Sequence, residues 1–501
     1  MAKKYAKGIG IRASIDRSSG EAVYEQIAAS LRAAIEAEVL RGSTRLPSTR
    51  SLAEEWGVAR NTVVQAFDAL VAEGYLVSRV GDGTYVAEAA PKAATPGRIA
   101  TQHSGTDSAD VAPEWSRRGR RLAACAPASL PERPLPLMPD LPDLRAFPMR
   151  NWLRLAAESA ATLTGGAVAN AAAGFLPLRE TIAHHVAANR GLLCDPSQVL
   201  VTTGSQQSLD LCIRLLTDPG DVVWMEDPGY IGIRSALEAN GCDVRCVPVD
   251  REGLVVARGR ETCPPPRLIC VSPARQYPTG AVLSPRRRAE LLDFAQAAGA
   301  WIIEDDYDSE THFAGPAPPA LQAERTCGRT VFIGTFSKTL LPSLRLGYLV
   351  VPADFTDGFI AARAASQGQA PMLEQVTLAA MMRQGLYAAH LRRMRILYRA
   401  RQNALVSRLQ RLLGYRPPEW ELQSGMHIVV PLRDGVDDIE VARNLASLGV
   451  VTRPLSLYVA GTPKRCGLIV GFAAFAEDEI ARACTRLTQL HPMIDRSSAL
   501  M

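Results

Sequence analysis

The apolar positions of this chain change period along its length, and the changes mark its elements. Val23, Ile27, Leu31 and Ile35 recur every four residues, which predicts a first helix from about Glu21 to Ala37 with one buried stripe. A short second helix is expected after Ser48, a side chain suited to capping it, with Gly57 closing it. A third follows from Arg60 to about Glu73, with Val63, Ala66, Phe67 and Leu70 facing inward and Gly74 at its end. Two helices joined by a short Gly-containing turn form a helix-turn-helix. Tyr75 to Val86 then reads as two short strands around Gly81-Asp82-Gly83, a β-hairpin wing with a tip small enough to approach a backbone closely.

From about Glu88 to Pro113 the period is lost in Ala, Pro, Thr, Ser and Gly, which reads as a linker. Beyond Pro131, β-rich runs such as Val199–Val201, Val222–Met225, Leu268–Val271 and Trp301–Ile303 alternate with amphipathic stretches of helical length. Such alternation predicts a mostly parallel sheet covered by helices. The expected division is therefore a DNA-reading unit over 10–87, a linker over 88–113 and a large α/β unit over 114–495.

Composition narrows this picture without redirecting it. A chain of 501 residues with 47% apolar and 21% charged residues is globular and too long for one core. No stretch reaches the roughly 18 apolar residues of a membrane span and no leader-like h-region follows the basic start, so a cytoplasmic protein is expected. The ten cysteines lack paired zinc spacing, Cys242 and Cys246 included, and read as free thiols, with no metal site expected. A net charge of +5 is too small to argue for nucleic acid by itself. Arg117-Arg118-Gly119-Arg120-Arg121 reads as a solvated basic run.

The chemistry is concentrated at predicted strand ends. Ser337-Lys338 follows the apolar run Val331–Phe336, which places a lysine amine where open α/β sheets hold their ligands. Asp305, in Glu304-Asp305-Asp306-Tyr307, follows the strand Trp301–Ile303, and Tyr307 is close enough in sequence to act beside it. Thr202-Thr203-Gly204-Ser205-Gln206 leads from a strand into a helix, whose free N–H groups suit a phosphate. Thr335 and Arg345 can add contacts to that anion, and Tyr230, beyond another strand, offers an aromatic face. An amine, a carboxylate for a ring nitrogen, a phosphate cradle and a stacking face are what pyridoxal phosphate requires. At the start of the third helix, Arg60, Asn61 and Thr62 present groups able to bond base edges or phosphates.

Two resemblances sharpen these expectations. Leu46-Pro47-Ser48-x-Arg50 and Glu73-Gly74-Tyr75-Leu76 resemble the GntR family of winged-helix regulators, which implies that Arg50, Arg60, Asn61, Thr62 and Gly81 contact DNA. Glu226-Asp227-Pro228-Gly229-Tyr230, Gln276-Tyr277-Pro278-Thr279-Gly280, Glu304-Asp305-Asp306-Tyr307-Asp308, Thr335-Phe336-Ser337-Lys338-Thr339 and Leu344-Arg345-Leu346-Gly347-Tyr348 resemble the fold-type I aminotransferases from about Pro139 to Leu490. The combination resembles the MocR subfamily of GntR regulators. The resemblance implies that Lys338 carries the internal aldimine, that Asp305 meets the ring nitrogen, that Tyr230 covers the ring and that Tyr277 lies near its edge. It also places Ile469 where those aminotransferases commonly carry an arginine for the substrate carboxylate, leaving Arg453 or Arg465 to hold any acid group of an effector. The expected protein is a homodimeric transcription regulator, domain-swapped, that binds double-stranded operator DNA and senses a small amine, an amino acid or pyridoxal phosphate itself. The alternative is an active aminotransferase with an accessory DNA-binding domain; sustained turnover would favour it.

Overall fold

The computed structural model describes residues 15–495 except 18, 80, 89–114, 125–132, 161–162, 164–171, 314, 325–327, 367, 369 and 461–464. The chain divides into two compact units, Met1–Val111 and Ala112–Met501. The linker expected over 88–113 lies almost wholly outside the described residues.

The first unit contains α1 (Val23–Glu36), α2 (Thr49–Trp56), α3 (Arg60–Ala72), β1 (Leu76–Arg79) and β2 (Gly83–Val86). Ser48 caps α2 through a hydrogen bond accepted from the Ser51 amide at 3.2 Å, and Gly57 ends it in the left-handed conformation. The inward positions of all three helices meet in one core: Ile27, Leu31 and Ile35 of α1, Leu52 of α2, and Val63, Phe67 and Leu70 of α3 are buried together with Leu76 and Val86 of the hairpin. Arg32 and Glu73 form an ion pair at 2.7 Å that ties α1 to the end of α3. Thr44 to Leu46 adds a pairing that periodicity did not predict. The Leu46 amide donates to Thr84 O, and the Val86 amide to Thr44 O, each at 2.9 Å, so this segment extends the wing.

The second unit begins with α4 (Arg117–Ala124), α5 (Met149–Ala160) and α6 (Leu176–Arg190). Part of the basic run read as solvated is docked: Arg118 donates to Ala239 O at 2.8 Å and to Asn240 Oδ1 at 2.6 Å. Its guanidinium satisfies carbonyl groups at a helix end, where the last C=O groups have no partner within the helix.

Next come β3 (Val199–Thr202), α7 (Ser205–Leu216), β4 (Val222–Asp227), α8 (Ile231–Asn240), β5 (Asp243–Asp250), β6 (Gly253–Leu254), α9 (Val256–Thr262), β7 (Leu268–Val271), α10 (Pro285–Ala298), β8 (Trp301–Asp306), α11 (Leu321–Glu324), β9 (Thr330–Thr335) and β10 (Gly347–Val350). The strands form one eight-stranded sheet in the order β3-β10-β9-β8-β7-β4-β5-β6. Its centre, β9-β8-β7-β4-β5, is parallel, whereas β10 runs antiparallel to both neighbours. Strands β7, β8 and β9 are buried at every residue, as a sheet covered on both faces requires.

The remainder comprises α12 (Thr356–Ser366), α13 (Met372–Arg383), the long α14 (Leu386–Leu413), β11 (His427–Leu432), α15 (Asp438–Ser447), β12 (Arg453–Pro454), β13 (Cys466–Gly471) and α16 (Glu477–Cys484). Here β11, β13 and β12 make a separate antiparallel sheet whose core is shared with α14 and α16. Buried Arg275 joins it to the large sheet by donating to Ser424 Oγ at 3.1 Å and His427 O at 3.0 Å. Among the described residues no helix is long and apolar enough to cross a membrane, no group of side chains is arranged to hold a metal, and eight cysteines are free thiols.

Candidate cofactor pocket and nucleic-acid interface

The carboxyl edge of the large sheet is where its parallel strands deliver polar residues. Asp305 is near the end of β8, Thr335 ends β9, Gly204 follows β3 and Tyr230 follows β4. Parallel pairing runs β4, β7, β8 and β9 in one direction, and β3, antiparallel to β10 as β9 is, shares it, so their carboxyl ends lie at one edge. The cavity there is lined by Gly204, Ser205, Gln206, Tyr230, Tyr277, Asp305, Tyr307, Thr335, Ser337, Lys338 and Arg345, together with Asp140 and Pro342. All eleven candidate residues thus meet in one place, although they come from several separate loops.

Each part of the cavity has a distinct chemistry. Helix α7 opens at Gly204, which supplies no side-chain acceptor for the first amides, so N–H groups and the positive end of the helix dipole are available to an anion. Gly204 has φ +112, and a Cβ there would lie 3.9 Å from the Arg345 guanidinium, so the backbone approaches that cation closely. Arg345 itself is held in the left-handed region at φ 50, ψ 50. Gln206 Nε2 is tied to Gly232 O at 2.9 Å. Tyr230 stands edge-on to Tyr277 with centroids 5.7 Å apart, and Tyr277 is likewise edge-on to Tyr307 at 5.6 Å.

Asp305 is buried and its Oδ1 has no hydrogen-bond partner; the Tyr307 hydroxyl is in the same position. Burial, reinforced by the neighbouring Asp306 and opposed by Lys338, raises the Asp305 carboxyl to about 7. A buried carboxylate without a partner is costly, and a cationic ring N–H would satisfy it. The amine of Lys338 donates to the backbone carbonyl of Asp140 at 2.9 Å. A cavity with an orphaned carboxylate, an orphaned phenol, an uncapped helix end and a lysine fits pyridoxal phosphate in every functional group.

Asp140 was not identified from sequence. It lies in an aperiodic Pro-rich segment with φ +66, and its carboxylate accepts from Tyr277 Oη and Arg453 Nη1, both at 2.7 Å. Arg453, offered above as a holder for an acid group, is therefore already paired. In the second sheet it stands opposite Ile469, which is fully buried beside Tyr277, Val429, Leu455 and Tyr458. Arg465 is not among the residues that line the cavity.

In the first unit, Arg60 and Asn61 are exposed on the first turn of α3 and Thr62 is half-buried behind them. Arg50 is also exposed, within reach of Glu54 at 3.4 Å on α2, and Arg50 and Arg60 border the same shallow depression. Gly81 occupies the wing tip at φ +76 with open space around it. Arg79 lies over the Tyr85 ring at 4.7 Å and the Tyr85 hydroxyl donates to Asp82 at 2.8 Å, which stiffens the hairpin behind that tip.

Comparison with known proteins agrees with both units. Residues 23–86 match the family described as bacterial regulatory proteins, gntR family, and residues 141–487 match aminotransferase class I and II. The chain is 38% identical to the probable rhizopine catabolism regulatory protein MocR of Rhizobium meliloti, over 97% of both chains. It is 36% identical to the HTH-type transcriptional regulator TauR of Rhodobacter capsulatus, over 74% of this chain and 76% of that one. Among solved structures it is similar to LysN, the α-aminoadipate aminotransferase of Thermus thermophilus, complexed with N-(5'-phosphopyridoxyl)-L-leucine. That match has a TM-score of 0.64 and 26% identity, and covers 75% of this chain and 95% of that one. A winged helix-turn-helix in one unit and a fold-type I aminotransferase fold in the other, matched end to end by a single relative, establish that the chain belongs to the MocR subfamily of the GntR regulators.

Proposed function

We propose that this chain is a transcription regulator that reads operator DNA with its first unit and senses a small amine at pyridoxal phosphate held in its second. The observation that carries the reading is that one chain joins a complete winged helix to a cavity lined by all eleven residues expected to hold the cofactor. Lys338 is the attachment point, Asp305 the partner of the ring nitrogen, Tyr307 the donor to the ring hydroxyl, and Tyr230 the stacking face. The amides of Gly204, Ser205 and Gln206 hold the phosphate together with Thr335, Ser337 and Arg345. When bound, the cofactor supplies an electrophilic carbon that captures primary amines. The protein's own residues orient it and exclude water.

On the DNA side, Arg60, Asn61 and Thr62 enter the major groove while Arg50 and Gly81 approach the backbone. The unit boundaries follow as 10–87 for the reader, 88–113 for a linker and 114–495 for the sensor. The protein works in the cytoplasm as a domain-swapped homodimer, since two-fold regulators read paired half-sites. The names of the relatives as regulators support this reading over that of an aminotransferase with an accessory domain. The experiment is footprinting of the full-length, cofactor-loaded protein on the DNA upstream of its neighbouring genes, with and without amines, alongside a transamination assay. Paired protected half-sites that respond to an amine support the regulator. Sustained turnover without specific protection overturns it. A monomer by light scattering with cofactor bound overturns the dimer.

A further inference from the structure

The cavity is lined by a second carboxylate besides Asp305, that of Asp140. Asp140 presents a carboxylate whose Oδ2 is occupied by Tyr277 and Arg453, while Oδ1 is buried and has no hydrogen-bond partner. His427 Nδ1 lies 3.5 Å from Oδ1 and is also without a hydrogen-bond partner. Against burial, which alone raises it, Lys338, Arg453, His427 and the hydrogen bond from the Tyr277 hydroxyl hold the Asp140 carboxyl at about 2. The group is an anion at any working pH.

Among the described residues, the cations that line the cavity are Lys338 and Arg345, and Arg453 is bonded to the cavity's Asp140. Arg345 adjoins Gly204 at the helix end, where it serves the phosphate. Lys338 is the attachment amine. Arg453 is paired with Asp140 at 2.7 Å, and its neighbour in register on β13, Ile469, is apolar and buried. An incoming carboxylate would meet Asp140 as a like charge, and each of these three cations already has a role or a partner. A hydroxyl or a second ammonium would instead find an acceptor in Oδ1 that otherwise goes unsatisfied, and an unsatisfied buried acceptor is expensive.

We infer that Asp140 is a specificity-determining residue that selects, as effector, a primary amine without a carboxylate and with a second hydrogen-bond donor, a hydroxyl or an ammonium. The inference rests on the proposal that the second unit senses an amine. The left-handed backbone at Asp140 aims both its carbonyl, toward Lys338, and its carboxylate, toward Arg453, into the same region.

The test uses full-length protein loaded with pyridoxal phosphate and two matched pairs of probes: ethanolamine against L-serine, and 1,4-diaminobutane against L-ornithine. Affinity is read from the change in cofactor absorbance and, independently, from the shift in melting midpoint. Wild type should favour the acid-free member of each pair by at least about tenfold. Asp140→Gly, which accepts the positive φ without strain, and Asp140→Asn, which keeps a neutral acceptor, should both move that ratio at least about tenfold toward the amino acid by freeing Arg453. Retention of the cofactor band shows that each variant site is folded. Tighter binding of the amino acids by wild type, or a ratio unchanged in both variants, overturns the inference while leaving amine sensing intact. A loaded protein that responds to none of the four overturns the amine-sensing reading and this inference with it.

Discussion

Lys338 and Asp140, both lining the cavity, are joined directly: the lysine Nζ donates to the aspartate's backbone carbonyl at 2.9 Å, linking the turn after β9 to a segment 198 residues earlier. A neutral carbonyl holds the amine in place without the stronger grip that an ion pair would exert. Borohydride reduction of the loaded protein followed by peptide mapping should place the label on Lys338. Lys338→Ala should lose the covalent label and the response to amines, while its affinity for operator DNA in the absence of amine stays within about twofold of wild type. Label on another lysine overturns the assignment.

The buried Asp305 sets a pH dependence on the apoprotein. Its carboxyl sits near 7 when folded, against about 4 in an unfolded chain. Between those values the folded state binds more protons than the unfolded state, so this group's contribution to stability falls as pH rises through the window. Asp305→Asn removes that slope. From pH 5 to pH 8 its apoprotein should gain stability relative to wild type by on the order of 2–3 kcal/mol. Glu304, raised by burial, titrates alike in both proteins, whereas Glu226, raised by burial and in part by the charge of Asp305, relaxes with the substitution, so the difference reports Asp305 together with its coupling to Glu226. Calorimetric melting at the two pH values decides it, and parallel pH profiles would sink the idea. Cofactor affinity should nevertheless drop at least about tenfold in Asp305→Asn, since the ring nitrogen loses its anion.

Gly232 separates helix propensity from site geometry. It lies in the first turn of α8, where alanine is ordinarily the better residue. A Cβ at Gly232, however, would fall 2.4 Å from Tyr230 Cε1 and 2.7 Å from Gln206 Oε1. Gly232→Ala should therefore shift the stacking face and the phosphate loop together, weakening cofactor binding about tenfold with little change in helix content. Equilibrium titration with pyridoxal phosphate, with circular dichroism as the control, provides the measurement; unchanged affinity would show that Tyr230 moves freely.

On the DNA side, Arg60→Ala should weaken binding to operator by about 1–3 kcal/mol if the side chain meets a base edge, with cofactor uptake unaffected. Titration on operator and on unrelated DNA separates the roles. Equal losses on both would reduce Arg60 to a phosphate contact.

The sequence alone carried the elements and their chemistry because both are local. The four-residue spacing of Val23 to Ile35, the Ser48 cap and the apolar runs Leu268–Val271, Trp301–Ile303 and Val331–Ile333 each report a preference of a short backbone segment for one conformation. Lys338, Asp305, Gly204 and Tyr230 were legible for the same reason, since each stands just beyond or at the end of such a run, and a parallel sheet brings those ends to one edge. The extension of the wing by Thr44 to Leu46 and the docking of Arg118 on the end of α8 were not legible, because both depend on partners distant in sequence. The same is true of the Asp140 carboxylate. Nothing around Pro139-Asp140-Leu141-Pro142 has a period, and the ion pair from Asp140 to Arg453 spans 313 residues. Only the packed fold decided that Arg453, in register with Ile469, turns its charge onto Asp140, because a carboxylate largely withdrawn from water is costly without a partner and the half-buried guanidinium supplies one.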